Sequence, residues 1–269
     1  MNLESRLTAG LPLPPGRMIT SNEGDGGQRP LWLSDGPPAT GLWSRLRAEH
    51  ATSGLWPLLL CPLDPHDTQF RPWGCGEIHP EDMSSPADHD PRALLARWWR
   101  DHTVTDEDDD PLSAEERLAV TAPFGRTWPG PAPACTPVDD PDAMAEQYAR
   151  VFLDRYPHAR LGLVTAPRGA DALAAAGWTG PANYDSDTAT FSAVVRDWED
   201  RFGARVVGVG FATLHLSVAA PPNRLEDALG VAAEHFAFCP DNVWQGAHRD
   251  LASYAEHLIG LNCWDFWWD

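Results

Sequence analysis

The six residues Trp264-Asp265-Phe266-Trp267-Trp268-Asp269 place three tryptophans and a phenylalanine at one end of the chain. Free termini are normally polar and mobile, so aromatic surface on this scale predicts an end packed into the fold as a docked strand. Two further dense blocks precede it: Trp198-Glu199-Asp200-Arg201-Phe202-Gly203-Ala204, and Glu234-His235-Phe236-Ala237-Phe238-Cys239-Pro240-Asp241-Asn242. None of the three spells out a catalytic or cofactor-binding motif. They predict architecture before they predict chemistry.

The chain has 269 residues, of which 43% are hydrophobic and 10% aromatic, enough for a sizeable core in one large domain or two smaller ones. It carries 39 acids against 20 bases, a formal net charge of −19, and every base is arginine. Such a field repels phosphate backbones and anionic lipid headgroups, so neither nucleic acid nor a membrane surface is an expected partner. A basic protein is the complementary partner. Five cysteines at irregular spacing make no disulfide framework and fit a reducing compartment. The stretch Met1 to Arg6 lacks the basic and apolar regions of a signal peptide, and no apolar run reaches membrane-spanning length. A soluble cytoplasmic protein is expected; no oligomeric state is assigned.

Residues 1 to 40 are broken by Leu11-Pro12-Leu13-Pro14-Pro15-Gly16 and Gly24-Asp25-Gly26-Gly27, leaving one short strand at Leu31 to Leu33. Helical spacing at Leu42, Trp43 and Leu46 is followed by Leu55 to Cys61, an apolar run suited to a buried strand. Asp90 and Pro91 form a helix start, predicting a helix to about His102, and a shorter one is expected near Ser113 to Val120. The acidic run Asp106 to Asp110 and the proline-rich stretch Pro129 to Pro137 predict a linker, with domains at 1–135 and 136–269. Beyond it come helices from Pro141 to Tyr156, Gly169 to Ala176, Thr188 to Phe202, Leu225 to Phe238 and Arg249 to Ile259. Strands are expected at Arg160 to Thr165, Arg205 to Gly210, Thr213 to Ala219 and Trp264 to Trp268. The Arg205 and Thr213 strands are joined by a turn too short for a crossover and must pair antiparallel. The mixed order predicts an α+β fold, with helices on a partly antiparallel sheet.

Leu161-Gly162-Leu163-Val164, Ala175-Ala176-Gly177-Trp178-Thr179-Gly180-Pro181-Ala182-Asn183, the two dense internal blocks, Pro221-Pro222 and the tryptophan-rich end occur in one order. In these blocks, over roughly residues 135 to 269, the chain resembles the bacterial, mainly actinobacterial, family known as domain of unknown function 4253. The resemblance implies a cytoplasmic bacterial origin and a C-terminal domain. It brings no activity, cofactor or catalytic residue.

The candidate chemistry must therefore come from side chains. His235 and Cys239 lie four apart on one helical face, with Glu234 and Asp241 beside them, as a histidine, a thiol and carboxylates from which a nucleophilic or metal site could be assembled. Two ligands do not make a metal site, and a third would have to come from His215, His248 or Asp241. Cysteine at a helix C-terminus meets the negative end of the helix dipole, which opposes thiolate formation. Trp198 and Phe202 share a helix face, and Arg201 beside them could clamp a carboxylate such as Asp269 or Asp241. Asn183 and Gln245 are candidate pocket residues. Cys61, His66, Cys75, His79 and His89 have spacings that fit no common zinc finger, and there is no phosphate loop or nucleophile elbow. Neither a metal nor a cofactor is predicted. The acidity, the aromatic content and the lack of a catalytic motif favour a protein-binding or regulatory module, immunity-like in character, acting on a basic partner. The alternative is an enzyme or ligand-binding protein with a pocket around His235, Cys239, Asp241 and Arg201.

Overall fold

The structure is a computed structural model that describes residues 3–7, 12–22, 27–104, 113–137 and 139–269. Its elements run α1 (Leu3–Leu7), β1 (Gly16–Ile19), β2 (Leu31–Ser34), α2 (Leu42–Ala48), α3 (His50–Ser53), β3 (Leu55–Leu60), α4 (Pro91–Thr103), α5 (Ala114–Val120), α6 (Pro141–Arg155) and β4 (Arg160–Thr165). There follow α7 (Asp171–Ala176), α8 (Thr188–Phe202), β5 (Ala204–Val209), β6 (Thr213–Val218), α9 (Leu225–Phe238), α10 (Asp241–Trp244), α11 (Leu251–Leu258) and β7 (Cys263–Trp267). The strands form one mixed sheet in the order β1-β2-β4-β3-β5-β6-β7. Only the β3–β5 pair is parallel; the other neighbours are antiparallel. The fold is α+β, as the element order predicts. Among the described residues no helix is long and apolar enough to cross a membrane.

Side chains alternate across a strand, so a sheet covered on both faces needs strands that are apolar at every position. Strand β3 has that composition. Trp56, Leu58 and Leu60 enter the larger core with α4, α8 and α9, while Leu55 and Leu59 enter a second core with Trp43, Leu46, Ala149 and Phe152 from α2 and α6. In β5 a register shift between Val206 and Gly208 breaks the alternation, so that Val206 and Val209 both reach the larger core. Strand β7 shows strict alternation: Trp264 and Phe266 point inward, Asp265 and Trp267 outward, and Trp268 continues the inward set.

The helix ends follow local chemistry. Asp90, Asp140, Asp187 and Asp250 each accept a backbone N–H in the first turn of α4, α6, α8 and α11, satisfying a donor that has no helical partner. Gly203 closes α8 at φ 60°, a left-handed conformation that favours glycine.

Two expectations change. Strand β1, which pairs Gly16 to Ile19 with β2, was hidden by the proline-rich sequence before it. Edge strands tolerate such flanks, because one side of their ladder needs no partner. The expected linker is docked: Phe124, Trp128, Ala132 and Cys135 pack against the larger core, although the run Asp106 to Asp110 lies outside the described residues, as do Leu11 and Gly24 to Gly26. Strand β4, from beyond residue 135, lies between β2 and β3 in the sheet.

Trp268 is 2% exposed and meets Trp178, Phe191 and Phe238 edge to face, with ring centroids 5.5–5.7 Å apart. Trp268→Ala is expected to lower unfolding stability by about 3–5 kcal/mol, as buried Trp-to-Ala changes do. Urea denaturation checks it, with an unchanged m value showing that the native fold survives.

Candidate functional site

The sequence-predicted residues fall into three hydrogen-bond sets, two of them buried and the third at the exposed chain end. In the first, Arg201 of α8 meets Glu234 of α9: Nη1 donates to Oε1 at 3.0 Å and Nη2 to Oε2 at 2.6 Å. Trp198 Nε1 donates to Oε2 at 2.7 Å and the Ala132 N–H to Oε1 at 2.6 Å, while Arg201 also binds Asp197 and the Ala132 carbonyl. Arg201 thus grips Glu234, not Asp269 or Asp241. Burial raises the Glu234 carboxyl above its ordinary range against the opposing pull of Arg201, Trp198 and the Ala132 N–H.

In the second set His235 is fully buried among the rings of Trp198, Trp264 and Phe266. Its Nδ1 shares a hydrogen bond with the Tyr254 hydroxyl at 3.0 Å, and its Nε2 has none. Burial, reinforced by Arg201, pushes its pKa down to about 3. Cys239, also fully buried, donates Sγ–H to the Trp267 carbonyl at 3.0 Å, and burial pushes its thiol far up. Both changes oppose chemistry: the histidine stays neutral and the thiol stays protonated.

The third set holds the chain end. Asp241 Oδ1 accepts from the Tyr184 hydroxyl at 2.9 Å and from Gln245 Nε2 at 3.1 Å, and Oδ2 accepts from the Asp269 N–H at 3.2 Å. Asn183 Nδ2 donates to the Asp269 carbonyl at 2.6 Å. Sequence reasoning passed over Asn242, which donates to the Asp265 carbonyl and the Tyr254 hydroxyl and accepts the Trp267 N–H. It sits in the short helix α10, and its target strand cannot be read locally. His248 stacks on His257 at 4.7 Å and tilts against the ring of Tyr254, without a hydrogen bond to His235 among the described residues. Among the described residues no group of three or more His, Cys, Asp or Glu side chains is placed to hold a metal ion.

An open site lies elsewhere, at the carboxyl ends of the parallel strands β3 and β5. A cleft of about 340 Å³ runs between the residues after β3, the end of α6, the β5–β6 turn and the end of β7. Crevices at the carboxyl ends of parallel strands are frequent ligand sites. Its lining includes Leu63, Tyr156, Phe211 and Trp267, of which Leu63 (51%), Phe211 (36%) and Trp267 (41%) are large apolar groups left exposed. Among the described residues its ionisable lining comprises Arg155, Tyr156, His158, His215 and Cys61, without an aspartate or glutamate. Burial pushes the Cys61 thiol up to about 12, so it stays neutral.

The rim is held from below. Trp178 Nε1 donates to the Gly210 and Phe211 carbonyls at 2.9 and 3.0 Å, and the Trp268 N–H donates to the Ala212 carbonyl. On the α6 side Gly208 leaves space that a Cβ would contest, 2.4 Å from the Phe152 ring, and that ring packs edge-on against His215. His215 Nδ1 donates to Asp265 Oδ1 at 2.9 Å, directly across the β6–β7 register, and the Tyr148 hydroxyl donates to the same oxygen at 2.8 Å. The alternation Thr213, His215, Ser217 in β6 signals a polar outer face. Pairing His215 with Asp265 required the register.

Residues 160–269 match the family DUF4253, a domain of unknown function. The match contains His215, Asp265, Phe211 and Trp267, and leaves out α6 and the Cys61 to Pro65 wall of the cleft. No curated protein and no solved structure matches the chain.

Two outcomes follow for the buried sets. Breaking the ion pair with Arg201→Met should cost about 3–5 kcal/mol, because Glu234 then lies buried and uncompensated, and Arg201→Met/Glu234→Leu should recover much of it. A double-mutant cycle in urea checks this. Because the His235 pKa is lowered, the unfolded chain takes up a proton that the folded chain refuses. The stabilising effect is present above about pH 6.5 and is lost as pH falls toward about 3, at up to about 1.4 kcal/mol per unit. His235→Phe should flatten that slope in denaturation measured from pH 7 to 4, leaving a residue from His102, whose pKa burial lowers to about 4.

Proposed function

We propose that the protein binds a small amphipathic anion, an apolar body with one acidic head, in the cleft at the carboxyl ends of β3 and β5. One observation carries the reading: in a chain with 39 acidic residues none of the described ones lines the cleft, while Arg155, His158 and His215 do. An anion therefore meets the Arg155 guanidinium inside a globally negative field. Leu63, Tyr156 and Phe211 supply apolar surface for the ligand's body, and the volume suits a small molecule. Arg155 supplies a planar fork for a carboxylate. It stacks on Tyr156 at 5.6 Å, which limits the ordering that binding requires.

A second reading keeps the protein-binding or regulatory module, immunity-like in character. The exposed Leu63, Phe211 and Trp267 around one hollow favour it, since exposed aromatics commonly anchor partners. The net charge of −19 favours a basic partner on surfaces outside the cleft.

Titration calorimetry with phenylacetate and its neutral counterpart phenylacetamide tests the leading reading. Phenylacetate should bind at least about tenfold tighter, a difference of about 1.4 kcal/mol. Arg155→Ala, at an exposed position, should remove most of that preference while leaving the fold intact. Equal affinity for acid and amide, or a preference untouched by Arg155→Ala, would sink it. Capture of a stoichiometric basic protein at low salt would favour the second reading.

A further inference from the structure

We infer that His215 is the specificity-determining residue of the cleft: it takes up one proton as a carboxylate ligand enters, and Asp265 and Tyr148, outside the lining, hold it ready to do so. The inference rests on the binding reading above and adds to it the state in which the ligand is recognised. The neutral imidazole donates Nδ1–H to Asp265, which places its remaining lone pair on Nε2. Nε2 makes no hydrogen bond among the described residues, and His215 lines the cleft whereas Asp265 and Tyr148 do not. A lone pair facing a carboxylate repels it. A proton on Nε2 converts that contact into a charge-assisted hydrogen bond, with Asp265 balancing the imidazolium from behind.

The groups packed around His215 support this direction. Strand β7 presents Asp265, with Cys263 next along that face; α6 presents Tyr148 and Phe152, with Arg155 at its end and Tyr156 just beyond it; β5 presents Gly208. Tyr148 and Cys263 are held protonated, the thiol pushed up to about 11 mainly by burial. The charged groups on this side are Asp265, bonded to Nδ1, and Arg155 at the cleft wall, with His158 farther along the same wall. Burial raises the Asp265 carboxyl, but His215, Tyr148 and Arg155 outweigh it and hold it below its ordinary value, so it remains the anionic partner throughout. A carboxylate paired with Arg155 leaves Asp265 to balance the imidazolium. The proton comes from buffer to Nε2, and no covalent bond changes.

The experiment is calorimetric titration of the full chain with phenylacetate at pH 6 to 9, in buffers of different ionisation enthalpy. The wild type should take up close to one proton per ligand at alkaline pH, with affinity falling by up to tenfold per pH unit there. His215→Gln should abolish both the uptake and the pH dependence while still binding phenylacetate through Arg155. Asp265→Asn, which keeps a group able to accept Nδ1–H, should weaken binding and reduce uptake. Phenylacetate binding without proton uptake, or uptake that persists in His215→Gln, overturns this inference alone. Absence of phenylacetate binding at every pH overturns it together with the reading on which it rests.

Discussion

Strand β7 carries two different surfaces on alternate residues, and much of the molecule is arranged around that alternation. Trp264, Phe266 and Trp268 turn inward against Trp198, His235 and Phe238, and burying them removes a large apolar area from water. Asp265 and Trp267 turn outward, one to hold His215 and the other to wall the cleft. A one-residue slip would exchange the two sets, burying a carboxylate and exposing three aromatic rings. The register of one edge strand therefore fixes the core and the candidate site together.

That dependence explains why so many polar groups attend the chain end. Asn242 bonds to the backbone of Asp265 and Trp267, Cys239 to Trp267, Asp241 and Asn183 to Asp269. An edge strand offers an unpaired row of donors and acceptors, and these contacts occupy part of that row. The Arg201–Glu234 pair plays a related part at a distance. By binding both backbone groups of Ala132, it fastens the proline-rich segment to α8 and α9, where proline has removed the N–H groups that a sheet or helix would have used. Buried ion pairs contribute little net stability against an apolar replacement. Fixing one position for an otherwise irregular segment is the role that the geometry supports.

The elements with strong periodicity or clear caps were legible: Asp90-Pro91 and Asp140-Pro141 announce α4 and α6, and Leu55 to Leu60 announces a strand buried on both faces. The Trp198, Glu234 and Trp264 blocks were legible as packing but not as partners, because Arg201 finds Glu234 through a helix crossing that no local pattern encodes. Attention to His235 and Cys239 followed from residue type at helical spacing, yet that spacing is equally the spacing of a core face, and the structure uses it so. His215 and Asp265 stand 50 positions apart and become neighbours only through the β6–β7 register. Strand β1 was illegible for a different reason, since its neighbouring prolines and glycines carry the signal of a loop.

Charge distribution gives the cleft its character. With nearly two acids for every base, a cavity wall picked without constraint would carry carboxylates, and the solvent-facing helices do. The cleft escapes because its wall is made of strand ends and the turns joined to them, where Pro62, Pro65, Pro157, Gly210 and Ala212 serve backbone geometry and leave no side chain to bear charge. Arg155 falls at the last turn of α6, the end at which the helix dipole favours a cation, and His215 falls where the outer face of β6 meets Asp265, which does not line the cleft. Local positive potential in an acidic protein is thus a consequence of how the sheet ends. An anion drawn there must first cross the repulsion of the surrounding surface, so salt that screens the outer field should aid its approach while weakening the final contact with Arg155.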